Sequence, residues 1–160
     1  MQVEIEKYQG NYDDEITKLI LSIQNNEAKI NLSLEEQPDL KDIKSSYQQN
    51  GGEFWIAKLG EEVIGTIGLM MKENDCAILK KFFVKSEYRS KKIGLALYKK
   101  LLEYALNAKV KHIILDTPSV ACASHKFYEN AGFHKTDVEH LPISYVYPDR
   151  DSLLYVLDLD

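Results

Sequence analysis

Residues 78–96 read Ile-Leu-Lys-Lys-Phe-Phe-Val-Lys-Ser-Glu-Tyr-Arg-Ser-Lys-Lys-Ile-Gly-Leu-Ala. An apolar run, Ile78 to Val84, ends in a turn carrying Arg89, Lys91 and Lys92. An amphipathic helix begins near Ile93, with Gly94 and Ala96 in its first turn. A helix start exposes unpaired N–H groups and a partial positive charge, so cations there are locally unfavourable. A bound anion would reconcile them, since side chains and amides could converge on the same phosphates. A solvated basic turn is the alternative. Other candidate chemistry is sparser. Cys122-x-x-His125 offers two metal donors without a second pair, which argues against zinc. Asp116 ends an apolar run 22 residues after Gly94, a spacing that suits a ribose-binding acid, but the Gly-x-Gly-x-x-Gly turn of such sites is absent.

These residues need elements to hold them. Val3 to Tyr8 alternates as a strand. Asn11 or Asp13 could cap a helix with Ile16, Leu19, Ile20 and Ile23 on one face. Residues 27–37 read as a loop or a short extra helix, and Pro38-Asp39 opens a second helix with Leu40, Ile43 and Tyr47 on one face, stopped by Gly51-Gly52. Strands at 53–58, 63–71 and 76–84, joined by short turns, predict an antiparallel meander. A helix over about 93–107 follows, then a strand at 111–116; this strand–helix–strand unit predicts a parallel pair. A helix over 121–130 closes on Gly132 as its left-handed cap. The last two strands are expected at 133–138 and 153–159. Pro142 and Pro148 bracket a loop bearing Tyr145 and Tyr147.

The chain of 160 residues is long enough for one sizeable core, with no linker, repeat or low-complexity tract. Its net charge of −5 argues against an electrostatic nucleic-acid binder. No apolar run approaches the roughly 20 residues of a membrane span, and residues 1–7 lack the features of a signal peptide. Two distant cysteines, Cys76 and Cys122, suggest reduced thiols and a cytoplasmic location.

Two stretches carry a resemblance to a family. Arg89-x-x-Lys92-x-Gly94-x-Ala96 is similar to the Arg/Gln-x-x-Gly-x-Gly/Ala turn of the GCN5-related N-acetyltransferases (the GNAT superfamily). Phe127-Tyr128-Glu129-Asn130-Ala131-Gly132-Phe133 resembles that family's Phe-Tyr-x-x-x-Gly-Phe segment. The element order agrees over nearly the whole chain. The resemblance implies a single acetyltransferase domain over 1–160 of the α+β class. Its GNAT-like fold would have a mixed, mostly antiparallel sheet of about six or seven strands and helices on both faces. Lys92 stands where the family's first turn glycine falls. Ala121 replaces a frequent Asn, and Ile78 replaces the Glu that serves some members as general base.

The same resemblance implies acetyl-CoA as co-substrate, no metal, and a V-shaped opening between the fourth and fifth strands. Phe82, Phe83 and Val84 would offer backbone groups to the pantetheine as an added strand. Arg89, Ser90, Lys91, Lys92, Ile93, Gly94, Leu95 and Ala96 would cradle the pyrophosphate, with Gly94 permitting close backbone approach. Tyr128 would protonate the departing thiolate, its phenol having a reference pKa of about 10; it could instead be a core aromatic. The base stays open among Asp75, Asp116, His125, Glu27 and a water chain. The acceptor pocket would draw on residues 27–38 and 139–151, where Glu35, Glu36 and Asp39 could attract an amine and Tyr145 and Tyr147 could line a wall. A solvated acidic face explains the same residues.

The function implied is N-acetyl transfer to a primary amine of a small molecule or peptide, with no nucleic acid or membrane partner. A non-catalytic acyl-CoA-binding or regulatory domain on the same fold is the alternative. The last strand could pair across a homodimer.

Overall fold

The computed structural model describes residues 2–145 and 151–159. Seven strands form one sheet: β1 (Glu4–Lys7), β2 (Glu53–Leu59), β3 (Glu62–Met71), β4 (Cys76–Val84), β5 (His112–Pro118), β6 (His134–Thr136) and β7 (Ser152–Asp158). Their order is β1-β2-β3-β4-β5-β7-β6. Among the described residues only β4 and β5 run parallel, joined through helix α2 (Ile93–Asn107). Helix α1 (Asp13–Ser22) precedes β2, and α3 (Cys122–Asn130) follows β5.

Alternation along the strands sends side chains to two cores. Trp55 and Ala57 face the side covered by α2 and α3, where Leu97, Tyr98 and Leu101 pack with Leu79, Ile113 and Tyr128. Phe54 and Ile56 face the opposite side, where α1 contributes Ile16, Leu19 and Ile20. A third cluster joins Ile78, Ile114 and Val156 to Ile143 and Tyr145 of the loop before β7. Helices thus cover both faces, as the sequence pattern implies. Each fully buried Leu or Ile contributes roughly 1.5–3 kcal/mol, so the α2 face alone ties β3 and β4 firmly to their helix.

Three local expectations are corrected. Neither Asn11 nor Asp13 caps α1. Tyr12 occupies that position with φ +65°, and the Asp13 carboxylate instead accepts the Tyr8 hydroxyl. Residues 38–48 are two separate turns, a 3-10 turn at Pro38–Lys41 and a wider π-type turn at Lys44–Gln48. Asp42 leaves helical geometry between them, and its carboxylate caps the Ser45 amide at 3.1 Å. Finally, β7 is not an edge strand. It pairs with β5 along its length and with β6 at Leu154–Val156, so both its sides are taken there.

Gly132 does cap α3 in the left-handed region, at φ +100°. Tyr147 and Pro148 lie outside the described residues. Among the described residues no helix is long and apolar enough to cross a membrane, and no group of three or more His, Cys, Asp or Glu could hold a metal ion.

Candidate active site

The site begins with a parting of strands. β4 and β5 pair only over Cys76–Ile78 with His112–Ile114, although β4 continues to Val84 and β5 to Pro118. The cause lies on the other side of β4. Against β3, Thr66 opposes Phe83 and Gly68 opposes Lys80, so Lys81 and Phe82 together face the single residue Ile67. This is a β-bulge, which bends its strand. Lys81 takes φ +55° within it, and the Thr66 hydroxyl donates to the Lys81 carbonyl at 2.7 Å. Beyond Ile78, the edge of β4 facing β5 therefore has no partner strand among the described residues, and an extended ligand could add to it as a strand does.

A cavity of about 890 Å³ opens at this split. Phe82, Phe83, Val84, Arg89, Ser90, Gly94 and Tyr128 all line it. Lys91, Lys92, Ile93, Leu95 and Ala96 do not. Ile93 turns into the core, whereas Lys91, Lys92 and Leu95 face solvent. Lys92 is the residue before α2 and has φ +63°, the left-handed geometry that glycine adopts most easily. A lysine there keeps the backbone shape, and its exposed side chain meets no obstacle. Ser90 is likewise left-handed, at φ +67°. Arg89 is tied down at two points: Nε donates to the Val84 carbonyl at 2.9 Å, and the guanidinium pairs with Glu27 at 2.6 Å. Glu27 ends a π-type turn, Ile23–Glu27, that extends α1 toward the basic bend.

Tyr128 projects from α3 among Phe82, Phe127, Phe133 and Tyr155, with ring centroids 5.6–6.3 Å apart. Burial, then the Asp116 charge, then Tyr98, hold its phenol well above the usual tyrosine range, so it keeps its proton at neutral pH. No hydrogen bond among the described residues engages its hydroxyl, and its face on the cavity leaves that proton available. Neighbouring Tyr98 is buried on α2, its own hydroxyl without a partner among the described residues and its pKa pushed up to about 12 by burial. Ala121 precedes α3 without a side-chain cap and lines the cavity.

The candidate bases separate. Asp75 lies at the far end of β4, facing Lys111 at 3.9 Å. The His125 ring sits 2.8 Å from the Pro118 carbonyl and against Tyr155, and it is not a cavity residue. Glu27 is engaged by Arg89. Asp116 lines the cavity just past the last β4–β5 pair, and one of its oxygens accepts the Tyr145 hydroxyl at 2.5 Å. Tyr145 thus meets the site through Asp116. Glu36 and Asp39 reach the cavity, and Glu35 does not.

A polar cluster in the same wall has no counterpart in the sequence reading. Lys81 donates to Gln37 at 2.8 Å, Gln37 and Gln24 exchange reciprocal hydrogen bonds at 2.8–2.9 Å, and Tyr47 donates to Asp39 at 2.6 Å. Gln24 and Gln37 are buried. One signal was available: Lys80-Lys81 interrupts the strand between Ile78-Leu79 and Phe82-Phe83, and two successive polar residues break an alternating pattern where a bulge inserts one.

Comparison with known proteins agrees with this architecture. The model of the acetyltransferase (GNAT) family matches residues 19–133. A crystal structure of an acetyltransferase from Streptococcus agalactiae is 38% identical with a TM-score of 0.94, covering 98% of each chain. N-acetylaspartate synthetase of Xenopus tropicalis is 40% identical over 105 residues, which are 64% of this chain and 39% of that protein, so this chain spans about two fifths of that relative. The PaiA N-acetyltransferase of Thermoplasma acidophilum, solved in complex with coenzyme A, shares the fold at a TM-score of 0.76 and 19% identity, covering 99% of this chain and 100% of that one.

Proposed function

The chain belongs to the acetyltransferase (GNAT) family, and from that premise we propose that it moves an acetyl group from acetyl-CoA to a primary amine of a small molecule or peptide. One observation carries the reading: the unpaired edge of β4, the basic bend and Tyr128 open onto one cavity. The residues present suit the co-substrate. Phe82 to Val84 offer backbone groups to the pantetheine. Arg89, Ser90 and the amides around Gly94 meet the pyrophosphate, and the exposed Lys91 and Lys92 add charge outside the wall. Acetyl-CoA supplies the activated thioester.

Once one proton of the acceptor ammonium has gone to solvent, the amine attacks the thioester carbon. The C–S bond breaks, and the thiolate leaves with the electron pair. Tyr128, protonated throughout the neutral range, hands its proton to that sulfur. The proton then shed by the new amide nitrogen also passes to solvent, from which Tyr128 is reprotonated after its own transfer. On the acceptor side, Asp116 holds the incoming ammonium, and Tyr145 fixes the carboxylate through its hydroxyl. The name of the N-acetylaspartate synthetases points to amino acids as one class of acceptor. Reduced Cys76 and Cys122 are compatible with the cytoplasm as the place of reaction.

The test is a thiol-release screen of amines, amino acids and peptides with acetyl-CoA. Release with at least one acceptor is the expected result. Binding of coenzyme A without release from any acceptor would leave a ligand-binding domain in its place.

A further inference from the structure

Lys81 is a buried cation in the cavity wall. Its side chain is 9% exposed. Strand alternation would turn it toward the core face with Leu79, but the bulge instead brings it to the face of Gln37 and Asp39. Burying an ammonium is costly unless its donors and charge are matched, and here they are matched only in part. Of three N–H donors, one reaches Gln37 at 2.8 Å. The nearest carboxylate oxygen, on Asp39, is 3.6 Å away, beyond hydrogen-bond reach, and that same oxygen already accepts the Tyr47 hydroxyl at 2.6 Å. Burial accordingly pulls the lysine below its ordinary range, with Asp39 and then Asp116 opposing.

Across the split, Asp116 presents the opposite sign. Tyr145 occupies one oxygen of its carboxylate, which has about four acceptor positions in all. Lys81 and Asp116 stand on the two strands that separate and line the same cavity. A cation and an anion on opposite lips match a ligand that carries both charges close together.

Resting on the transferase reading, we propose that Lys81 binds the α-carboxylate of an amino-acid acceptor whose ammonium faces Asp116, so the site selects free amino acids over simple amines. The lysine then works twice. It supplies the missing donors to the carboxylate, and it repels acceptors that bring only positive charge, a contribution to specificity by exclusion. Gln37 holds the ammonium toward the cavity and is itself fixed by Gln24.

The test compares each common amino acid with its own α-carboxamide as acceptor, which removes the charge and keeps the shape. Wild-type kcat/KM should favour the acid at least tenfold for the preferred side chain. Lys81→Met should bring that ratio near one, and Lys81→Arg should restore part of it. A wild-type enzyme that uses the amide equally well overturns the assignment. So does a Lys81→Met variant in which acid and amide fall together, since that is the signature of a structural lysine. Should Lys81→Met not fold, Lys81→Gln serves in its place. If no acceptor releases thiol, the transferase reading fails and the assignment is judged by calorimetry on the coenzyme A-loaded protein. Amino-acid binding at least tenfold weaker in Lys81→Met then supports it; equal binding, or none to wild type, overturns it.

Discussion

Gly94 separates the demands of the protein from those of the ligand. It is the second residue of α2, and a Cβ built there would meet the Phe82 ring at 3.5 Å and Val84 at 3.7 Å, ordinary contact distances. The fold therefore accepts Gly94→Ala without movement. Replacing glycine by alanine inside a helix stabilises by about 0.5–1 kcal/mol. For a chain of this size that is a rise in Tm of about 1–4 °C. The methyl group would nevertheless stand on the cavity wall beside Phe82, where the diphosphate is to pass. Alanine is, however, one of the two residues that the family's turn carries at this place, so the Kd for acetyl-CoA should rise by no more than about threefold, or about 0.6 kcal/mol. Calorimetric titration and thermal melts on the same sample measure both numbers. Gly94→Glu, adding length and negative charge, should abolish binding altogether. The reasoning is refuted if Gly94→Glu folds and keeps the wild-type affinity for acetyl-CoA, because the bend would then be no cradle.

Three further outcomes are expected. Tyr128→Phe should cut turnover at least tenfold while acetyl-CoA affinity and Tm hardly change, because the lost hydroxyl has no partner to orphan among the described residues; turnover kept at the wild-type level would make Tyr128 a packing residue. Glu27→Gln should tighten acetyl-CoA binding several-fold by freeing Arg89 from its carboxylate partner, with little effect on stability, since both side chains are well exposed and such pairs contribute about 0–1 kcal/mol; an unchanged Kd would show that the guanidinium plays no part. Stability should fall as pH rises through about 10 toward 12. Buried Tyr98, and Tyr155 in the same core, are both held up near 12, whereas the unfolded chain ionises at about 10, so deprotonation favours the unfolded state in that window. Urea midpoints measured between pH 8 and 11 would expose any failure of this trend.

Much of the frame was legible because it depends on local chemistry. The meander follows from short polar turns between apolar runs. Helix α2 begins and ends where the pattern places it, at Ile93 and Asn107, and Gly132 takes the positive φ expected of a helix stop. What escaped depends on competition between distant partners. Asp13 was available to cap α1, but Tyr8 claims its carboxylate. Asp42 leaves the helix that Pro38 opens to cap a second turn. The place of β7 between β5 and β6 is set by tertiary pairing, which alternation within one strand does not encode. The basic bend was readable from its charge. The cluster around Lys81 was not: the Lys80-Lys81 pair signals a break in the strand, but nothing in a run of residues announces that Gln24, Gln37 and Asp39 will gather around a lysine some 40 to 60 positions later.

The insertion of β7 also orders events during synthesis. Residues 112–118 have only three paired positions with β4 until 152–158 arrive, and residues 134–136 have no strand to join before then. A ribosome that has delivered α3 holds a sheet that stops at β5, whose outer edge awaits β7. The first five strands can assemble as a unit, but the wall behind Tyr128, to which Tyr155 belongs, closes last. Tyr128, the proposed proton donor, would thus be set in place only when β7 joins the sheet.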